Sequence, residues 1–370
     1  MVNSEEIHEF YMNLALQNAK AMKGQTYPNP LVGAVIVNNN SIVGIGAHLK
    51  AGESHAEIHA IKMAKGKTQG ATIYVTLEPC SHQGKTGPCA LAIIEAGIKR
   101  VVIATLDPNP IVSGNGIKVL QNEGIEVIVG VCEEEAIKMN EVFNKYIVNK
   151  IPFVTLKSGI TLDGKIATFS SNSKWITSEE AREDVHRLRN ENAAILVGVN
   201  TVIEDNPELT TRILGGRNPI RIILDSTLKI PLDSKVVTDK KSETWIFTSQ
   251  AYSPKKKSAL EKLLNIKIFI TEGESRVELK EVLRILGEHF IASLLIEGGG
   301  EVNASFIENK LVDKFIIYIA PKIIGGRDAP TFIEGNGIGE MKDAIEFSNL
   351  TFKRIGKDFK MTGYPSYNVL

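Results

Sequence analysis

Two consecutive α/β domains are what this sequence predicts, and three observations carry that expectation. The chain has 370 residues, about two and a half times a typical domain length, so each half is long enough to bury its own core. Strand-like apolar runs alternate with helically spaced ones in both halves, which implies largely parallel sheets with helices on both faces. The pattern stops near Pro152 and begins afresh at Phe153. The expected domains are residues 1–147 and 148–370.

Ile7, Phe10, Tyr11, Leu14, Ala15 and Ala19 recur at three- and four-residue steps and predict a helix over 4–23, closed by Gly24. A turn at Pro28-Asn29-Pro30 leads into paired strands over 31–37 and 41–48, joined by an Asn-rich turn. There follow a helix over 56–65, a strand over 71–77, a helix over 89–96 and a strand over 100–105. The first half then closes with a helix over 113–123, a strand over 125–129 and one helix over 133–145. In the second half strands are expected at 153–158, 194–199, 220–224, 244–248, 266–270, 293–296 and 315–319, with helices at 178–189, 255–264, 279–288 and from Val302. The run 315–319 suits a subunit interface as well as a core.

Apolar residues make up 43% of the chain and charged residues 23%, which excludes disorder, collagen-like repeats and coiled coil. Forty-three basic side chains balance forty-three acidic ones, and residues 1–150 alone hold 13 basic and 14 acidic, so neither half attracts a polyanion. No apolar run approaches the roughly 18–20 residues of a membrane span, and the first residues lack the pattern of a secretory signal. The expected location is the cytoplasm, with no membrane and no nucleic-acid partner. Three cysteines are too few for a disulfide framework. All three, with five of the seven histidines, lie within the first 132 residues, so metal chemistry belongs to the first half.

His55-Ala56-Glu57 stands before Pro79-Cys80, and eight residues separate Cys80 from Cys89. One imidazole and two thiolates fill three corners of a tetrahedral zinc site and leave the fourth for water, as in catalytic zinc sites. Zinc brings the pKa of bound water to about 7. Glu57, two residues past a ligand at a helix start, can then carry a proton from water to a leaving nitrogen. H-x-E followed by P-C…C is the zinc deaminase signature, whose ordinary form has two residues between the cysteines. Residues 81–88 make this spacing longer, and they carry polar groups able to meet a substrate. Cys132 reads as a small buried side chain, and His48 and His59 as structural or solvent-facing. A zinc-stapled protein without catalysis would leave Glu57 dispensable. A deaminase acting on nucleic acid is disfavoured by the neutral charge and by the lack of a basic, aromatic-interleaved stretch.

In the second half, Glu297-Gly298-Gly299-Gly300 follows a strand and precedes a helix, so unhindered backbone N–H groups can approach a phosphate. A glycine run of this kind is also common in simple turns.

Further marks extend along nearly the whole chain. They include Pro28-Asn29-Pro30-x-Val32-Gly33, Thr76-Leu77-Glu78-Pro79-Cys80-Ser81-His82 with Cys89, and Asp107-Pro108-Asn109-Pro110. Beyond these come Leu162-Asp163-Gly164-Lys165, Ser173-Lys174-Trp175-Ile176-Thr177, Val197-Gly198-Val199-Asn200-Thr201, Asp205-Asn206-Pro207 and Glu297-Gly298-Gly299. In this order they resemble the bifunctional riboflavin-biosynthesis family, in which a diaminohydroxyphosphoribosylaminopyrimidine deaminase is fused to a 5-amino-6-(5-phosphoribosylamino)uracil reductase. Gly87 departs from that family's second proline before Pro88.

The resemblance implies a cytidine-deaminase-like α/β/α sandwich followed by a dihydrofolate-reductase-like α/β domain, with Zn2+ and NADPH as cofactors. It implies that the first domain hydrolyses the 2-amino group of a phosphoribosylaminopyrimidinone, with Asn29, His82, Lys85 and Asn109 holding the substrate. On the residues alone, Asn29 also reads as a plain turn residue. The second domain would reduce the ribosyl group to ribityl. There Ser173, Arg189, Leu209, Arg212 and Glu297 would meet substrate, the two arginines through planar forks suited to phosphate. Gly159, Trp175, Thr201, Asp205, Gly298, Gly299 and Gly300 would lie along the cofactor, and Lys157 and Asp205 would handle or orient the proton. The plain reading of Lys157 is a surface lysine at a strand end. The partners expected are small substrates and further copies of the chain.

Overall fold

The computed structural model describes residues 4–81, 87–110 and 112–367. It separates into two compact units, Met1–Lys150 and Ile151–Leu370.

The first unit runs α1 (Ser4–Lys20), β1 (Gly33–Asn38), β2 (Ser41–Ala47), α2 (Ala56–Ala64), β3 (Thr72–Val75), α3 (Cys89–Glu95), β4 (Arg100–Ile103), α4 (Asn115–Asn122), β5 (Glu126–Val129), α5 (Glu133–Met139) and α6 (Glu141–Asn149). Its sheet has the order β2-β1-β3-β4-β5, with β1 antiparallel to both neighbours and β3, β4 and β5 parallel. Strand side chains alternate between faces. Val35, Tyr74 and Val102 pack with Met12, Leu16 and Ala136 of α1 and α5. Ile36, Ile73 and Val101 pack with Ala60, Ile93 and Leu120 of α2, α3 and α4.

The single helix expected over 133–145 is two helices that break at Asn140. Its buried amide donates to Leu31 O at 2.9 Å and accepts from Leu31 N at 2.8 Å, a clamp on the chain just after Asn29. A contact between residues so far apart leaves no local trace, which is why the apolar spacing reads through it. The second of these helices runs past the expected boundary at 147/148.

The second unit contains β6 (Phe153–Thr161), α7 (Glu179–Glu191), β7 (Ala194–Gly198), α8 (Val199–Asp205), β8 (Ile220–Leu224), α9 (Lys235–Thr238), β9 (Thr244–Thr248), α10 (Pro254–Leu260), β10 (Ile266–Ile270), α11 (Leu279–Glu288), β11 (Ser293–Ile296), α12 (Gly300–Glu308), β12 (Lys314–Ala320), β13 (Glu346–Ile355) and β14 (Asp358–Ser366). The sheet order is β10-β9-β8-β7-β11-β6-β12-β14-β13. It is parallel from β10 to β12, and β14 and β13 extend it antiparallel. The run 315–319 lies inside this sheet between β6 and β14 and is core.

Helix α8 and the β13–β14 hairpin are not expected from the sequence pattern. Helix α8 begins at the residue after β7 with no intervening turn signal. Strand β13 is solvent-exposed along nearly all of its length, so no buried face imposes an apolar alternation on it. Among the described residues no helix is long and apolar enough to cross a membrane.

Candidate active sites

In the first unit three donors converge from separate elements. His55 is the residue before α2, Cys80 lies in the loop after β3, and Cys89 opens α3. His55 Nδ1 lies 3.2 Å from Cys89 Sγ and 3.5 Å from Cys80 Sγ, and all three ligand atoms fall within 4.8 Å of one another. Zinc bonds of about 2.0–2.3 Å in a tetrahedron require edges of roughly 3.5 Å, so the donor set fits a zinc ion. Among the described residues no fourth His, Cys, Asp or Glu joins the cluster.

The Cys80 thiol is held well below the usual thiol range, chiefly because Cys89 donates to it, and His55 adds to this against the opposing cost of burial. The backbone N–H of Cys89, at the start of α3, also donates to Cys80 Sγ at 3.4 Å. Cys80 is therefore the thiolate of the pair, the form that binds metal, while donation to Cys80 and burial hold the Cys89 thiol up.

Glu57 sits in the first turn of α2, almost fully buried, and its Oε2 has no hydrogen-bond partner among the described residues. Burial, then the nearby Cys80 thiolate, pushes its carboxyl up to about 7. A buried carboxylate oxygen beside three metal donors, itself outside the donor set, is placed to exchange protons with a ligand at the fourth corner.

Asn29 is held by His48. The Asn29 Nδ2 to His48 Nε2 distance is 3.0 Å, and His48 Nδ1 donates to the Ser54 carbonyl at 3.2 Å. That carbonyl can only accept, so Nδ1 carries the hydrogen and Nε2 accepts from Asn29. The His48 ring meets the His55 ring edge-on at 5.5 Å. His48 is therefore buried within the site, a role its sequence position does not reveal, because only the β1–β2 pairing and the turn after it bring residues 48, 29 and 55 together. Asn109 lies in the loop before α4, where its N–H donates to Asp107 Oδ1 at 2.9 Å. His82 and Lys85 fall outside the described residues. Cys132 is only partly buried, against the core cluster around Met12 and Leu16.

In the second unit Glu297 is the hub. Its Oε1 accepts from Arg189 Nε at 2.7 Å, and its Oε2 accepts from Arg189 Nη2 at 3.0 Å and Lys157 Nζ at 3.3 Å. Burial alone would raise the Glu297 carboxyl, but Arg189 and then Lys157 outweigh it and hold it far below the usual carboxylate range. Arg189 Nη1 also donates to the Thr210 carbonyl at 3.0 Å. Lys157 lies within β6 and is mostly buried, which corrects the strand-end surface reading.

A cleft of about 830 Å³ opens at the carboxyl ends of β7, β8 and β11, the end at which open parallel sheets bind ligands. Ser173, Thr201, Asp205, Glu297 and the three glycines line it. Gly300 cannot carry a side chain, because a Cβ there would stand 2.6 Å from the Thr331 carbonyl oxygen, whereas Gly299 faces open space before α12. Helix α12 starts at Gly300 rather than Val302, so the glycine run is the helix start itself.

Other expected contacts stand apart from the cleft wall. Trp175 lies on a separate surface hollow with its ring under the Arg182 guanidinium at 4.4 Å. Leu209 is buried in the core around Ile195 and Val202 with φ of 52°, so its backbone rather than its side chain is what it can offer. Arg212 is exposed near His186, and Gly159 lies on β6 against Thr177.

The profile of the cytidine and deoxycytidylate deaminase zinc-binding region matches residues 5–105, and that of the RibD C-terminal domain matches residues 152–361. A riboflavin biosynthesis protein RibD of Bacillus amyloliquefaciens is 48% identical over 362 residues, covering 97% of this chain and 96% of its own. The Aquifex aeolicus RibD is 46% identical, covering 95% and 97%. Among solved structures, Acinetobacter baumannii RibD superposes with a TM-score of 0.88 at 35% identity, over 98% of this chain and 100% of that one. A deaminase/reductase of Thermotoga maritima superposes with a TM-score of 0.84 at 39% identity, over the same shares.

Proposed function

Since the chain belongs to the RibD family of bifunctional riboflavin-biosynthesis deaminase/reductases, we propose a division of labour in which residues 1–147 deaminate and residues 148–370 reduce. The enzyme hydrolyses 2,5-diamino-6-(5-phosphoribosylamino)pyrimidin-4(3H)-one to 5-amino-6-(5-phosphoribosylamino)uracil, releasing ammonia, and then reduces the ribosyl group to ribityl. Its cofactors are zinc and NADPH. When bound, zinc supplies a Lewis acid that acidifies water, and NADPH supplies the reducing equivalent.

His55, Cys80 and Cys89 hold the metal. Glu57 takes one proton from the attacking water and gives it to the ring nitrogen, then takes the remaining hydroxyl proton and gives it to the departing amine, so that the carbonyl forms as ammonia leaves. Asn29, fixed by His48, holds the ring together with Asn109, and His82 and Lys85 complete the substrate contacts. In the reductase half, Glu297 holds Arg189 and Lys157 in place. Arg189, Arg212, Ser173, Leu209 and Glu297 meet the substrate, and Lys157 with Asp205 handles or orients the proton at the transfer site. Gly159, Trp175, Thr201, Asp205 and Gly298, Gly299 and Gly300 receive the cofactor. The observation that carries the reading is the three-donor cluster with Glu57 buried beside it, its Oε2 without a hydrogen-bond partner among the described residues.

Dialysis against a strong chelator is the direct test. Ammonia release should stop, while NADPH oxidation on the deaminated intermediate should continue at the untreated rate. Ammonia release by metal-free protein would remove the reading of the first unit. Loss of NADPH oxidation together with the zinc would remove the division of labour.

The reading also includes a cytoplasmic homo-oligomer. Strand β13 is an exposed sheet edge carrying Leu350 and Phe352, the latter 65% exposed, and an apolar hollow of about 640 Å³ lined by Ile307, Phe315, Ile338 and Phe347 lies in the same unit. Uncovered edges and apolar patches of this kind are costly in a monomer. Sedimentation velocity should give at least twice the 40.5 kDa of one chain; a monomer at micromolar concentration would refute it.

A further inference from the structure

Glu78 is buried two residues before the metal ligand Cys80, and the reaction as derived does not use it. Its carboxylate accepts three backbone N–H groups from one loop. Oε2 takes Asp107 N at 3.2 Å and Gly114 N at 2.9 Å, and Oε1 takes Gly116 N at 2.9 Å. Asp107 opens the loop, while Gly114 and Gly116 close it at the first turn of α4. One carboxylate therefore ties Asp107 on one side of Asn109, and Gly114 and Gly116 on the other, to the segment that carries Cys80.

The packing leaves no slack at this tie. A Cβ on Gly116 would stand 2.0 Å from the Pro79 carbonyl oxygen, so the backbone at Gly116 rests directly on the Pro79–Cys80 peptide. The Glu78 N–H meanwhile donates to the Thr105 carbonyl at 3.0 Å, fixing the strand end from which the loop departs. Within the loop, Asp107 Oδ1 accepts from Asn109 N, and the Asn109 carbonyl accepts from Val112 N and Ser113 N, both at 3.0 Å. Asn109 thus sits at the centre of a turn whose two ends are held by Glu78.

We propose that Glu78 is a positioning residue for deamination, which sets the Asn109 loop at a fixed distance from the metal-binding segment and so determines how well the pyrimidine is held. The proposal rests on the deaminase reading of the first unit. Charge-assisted bonds to backbone N–H are strong and directional. Three of them on one buried group hold a loop more rigidly than its own turns can. A residue that only orients a binding group changes ground-state and transition-state affinity alike, so its loss appears in KM with kcat nearly unchanged.

The test is a double-mutant cycle on the full chain with Glu78→Gln and Asn109→Ala. The amide side chain keeps the shape of the carboxylate but turns one acceptor into a donor that cannot bond these N–H groups. Glu78→Gln alone should raise KM for the diaminopyrimidinone phosphate about tenfold and leave kcat within about twofold. Zinc should stay at one per chain and NADPH oxidation should be unchanged. In the Asn109→Ala background the same substitution should add little, because the residue it positions is gone. An equal rise in both backgrounds, an unchanged KM, or loss of zinc would overturn the proposal. Wild-type KM in Asn109→Ala alone would show instead that the assignment of Asn109 is wrong. If Glu78→Gln does not yield folded protein, Glu78→Asp, which keeps the charge but withdraws it from the loop, takes its place in the cycle and should also raise KM; an unchanged KM there would equally overturn the proposal.

Discussion

Glu57→Gln is expected to lower kcat for ammonia release by about a thousandfold, equivalent to roughly 4 kcal/mol of barrier, while zinc content and NADPH oxidation stay at wild-type levels. The separation follows from geometry. Glu57 lies in the first turn of α2 beside the donor set but outside it, so a neutral isostere leaves the three ligands His55, Cys80 and Cys89 where they are. What the substitution removes is a proton acceptor. The amide keeps an oxygen but cannot take a proton from water and hand it on to nitrogen. Because Oε2 has no partner among the described residues, the substitution breaks none of their hydrogen bonds at that atom, and stability should change little. Measuring ammonia release, zinc per chain and the unfolding midpoint on one preparation separates these effects. Ammonia release above a tenth of wild type would show that another group moves the proton.

The second large effect is expected at Arg189. Arg189→Ala removes a bidentate pair to Glu297 and a bond to the Thr210 carbonyl, leaving a buried carboxylate with Lys157 at 3.3 Å as its remaining cation among the described residues. Stripping one partner from a buried pair costs about 3–5 kcal/mol. NADPH oxidation should become undetectable, and Arg189→Lys, which restores charge without the fork, should recover only part of the stability.

The pH dependence gives a sharper test. In the wild type the Glu297 carboxyl is held below its unfolded value. Its contribution to stability is therefore present above the ordinary carboxylate range and lost only as pH falls through the depressed folded value. Removing Arg189 removes the larger of the two charges that oppose burial, so that value is expected to rise above the unfolded one. The ionised carboxylate then destabilises the fold at neutral pH, and protonation relieves the penalty as pH falls. The stability gap between Arg189→Ala and wild type should narrow between neutral and mildly acidic pH. A gap that stays constant or widens on acidification would show that Glu297 is not the group left uncompensated.

Much of the architecture was legible locally. The helix at 56–64, the strands at 220–224, 244–248, 266–270 and 293–296 and the helix at 279–288 follow from apolar spacing, because each buries one well-defined face or both. The metal donors were legible because zinc restricts the residue types, and H-x-E with P-C…C leaves few other meanings. The break at Asn140 and the exposed hairpin at 346–366 were not, since a long-range amide clamp and a two-sided polar strand leave no periodic signal. Lys157 illustrates the same limit. Its position in β6 is readable, but its burial against Glu297 depends on β11 lying beside β6, and that pairing joins segments 140 residues apart.

The sequence alone therefore determined two α/β units, the donor types of the metal centre and its neighbouring acid, because these rest on short-range spacing and on the narrow chemistry of the groups involved. Only the tertiary structure decided that His48 orients Asn29, that Glu78 accepts from Asp107, Gly114 and Gly116 and that Glu297 holds Arg189 and Lys157 together. Those arrangements come from hydrogen bonds and ion pairs between distant segments. Their partners meet only once the sheets have set the distance between them.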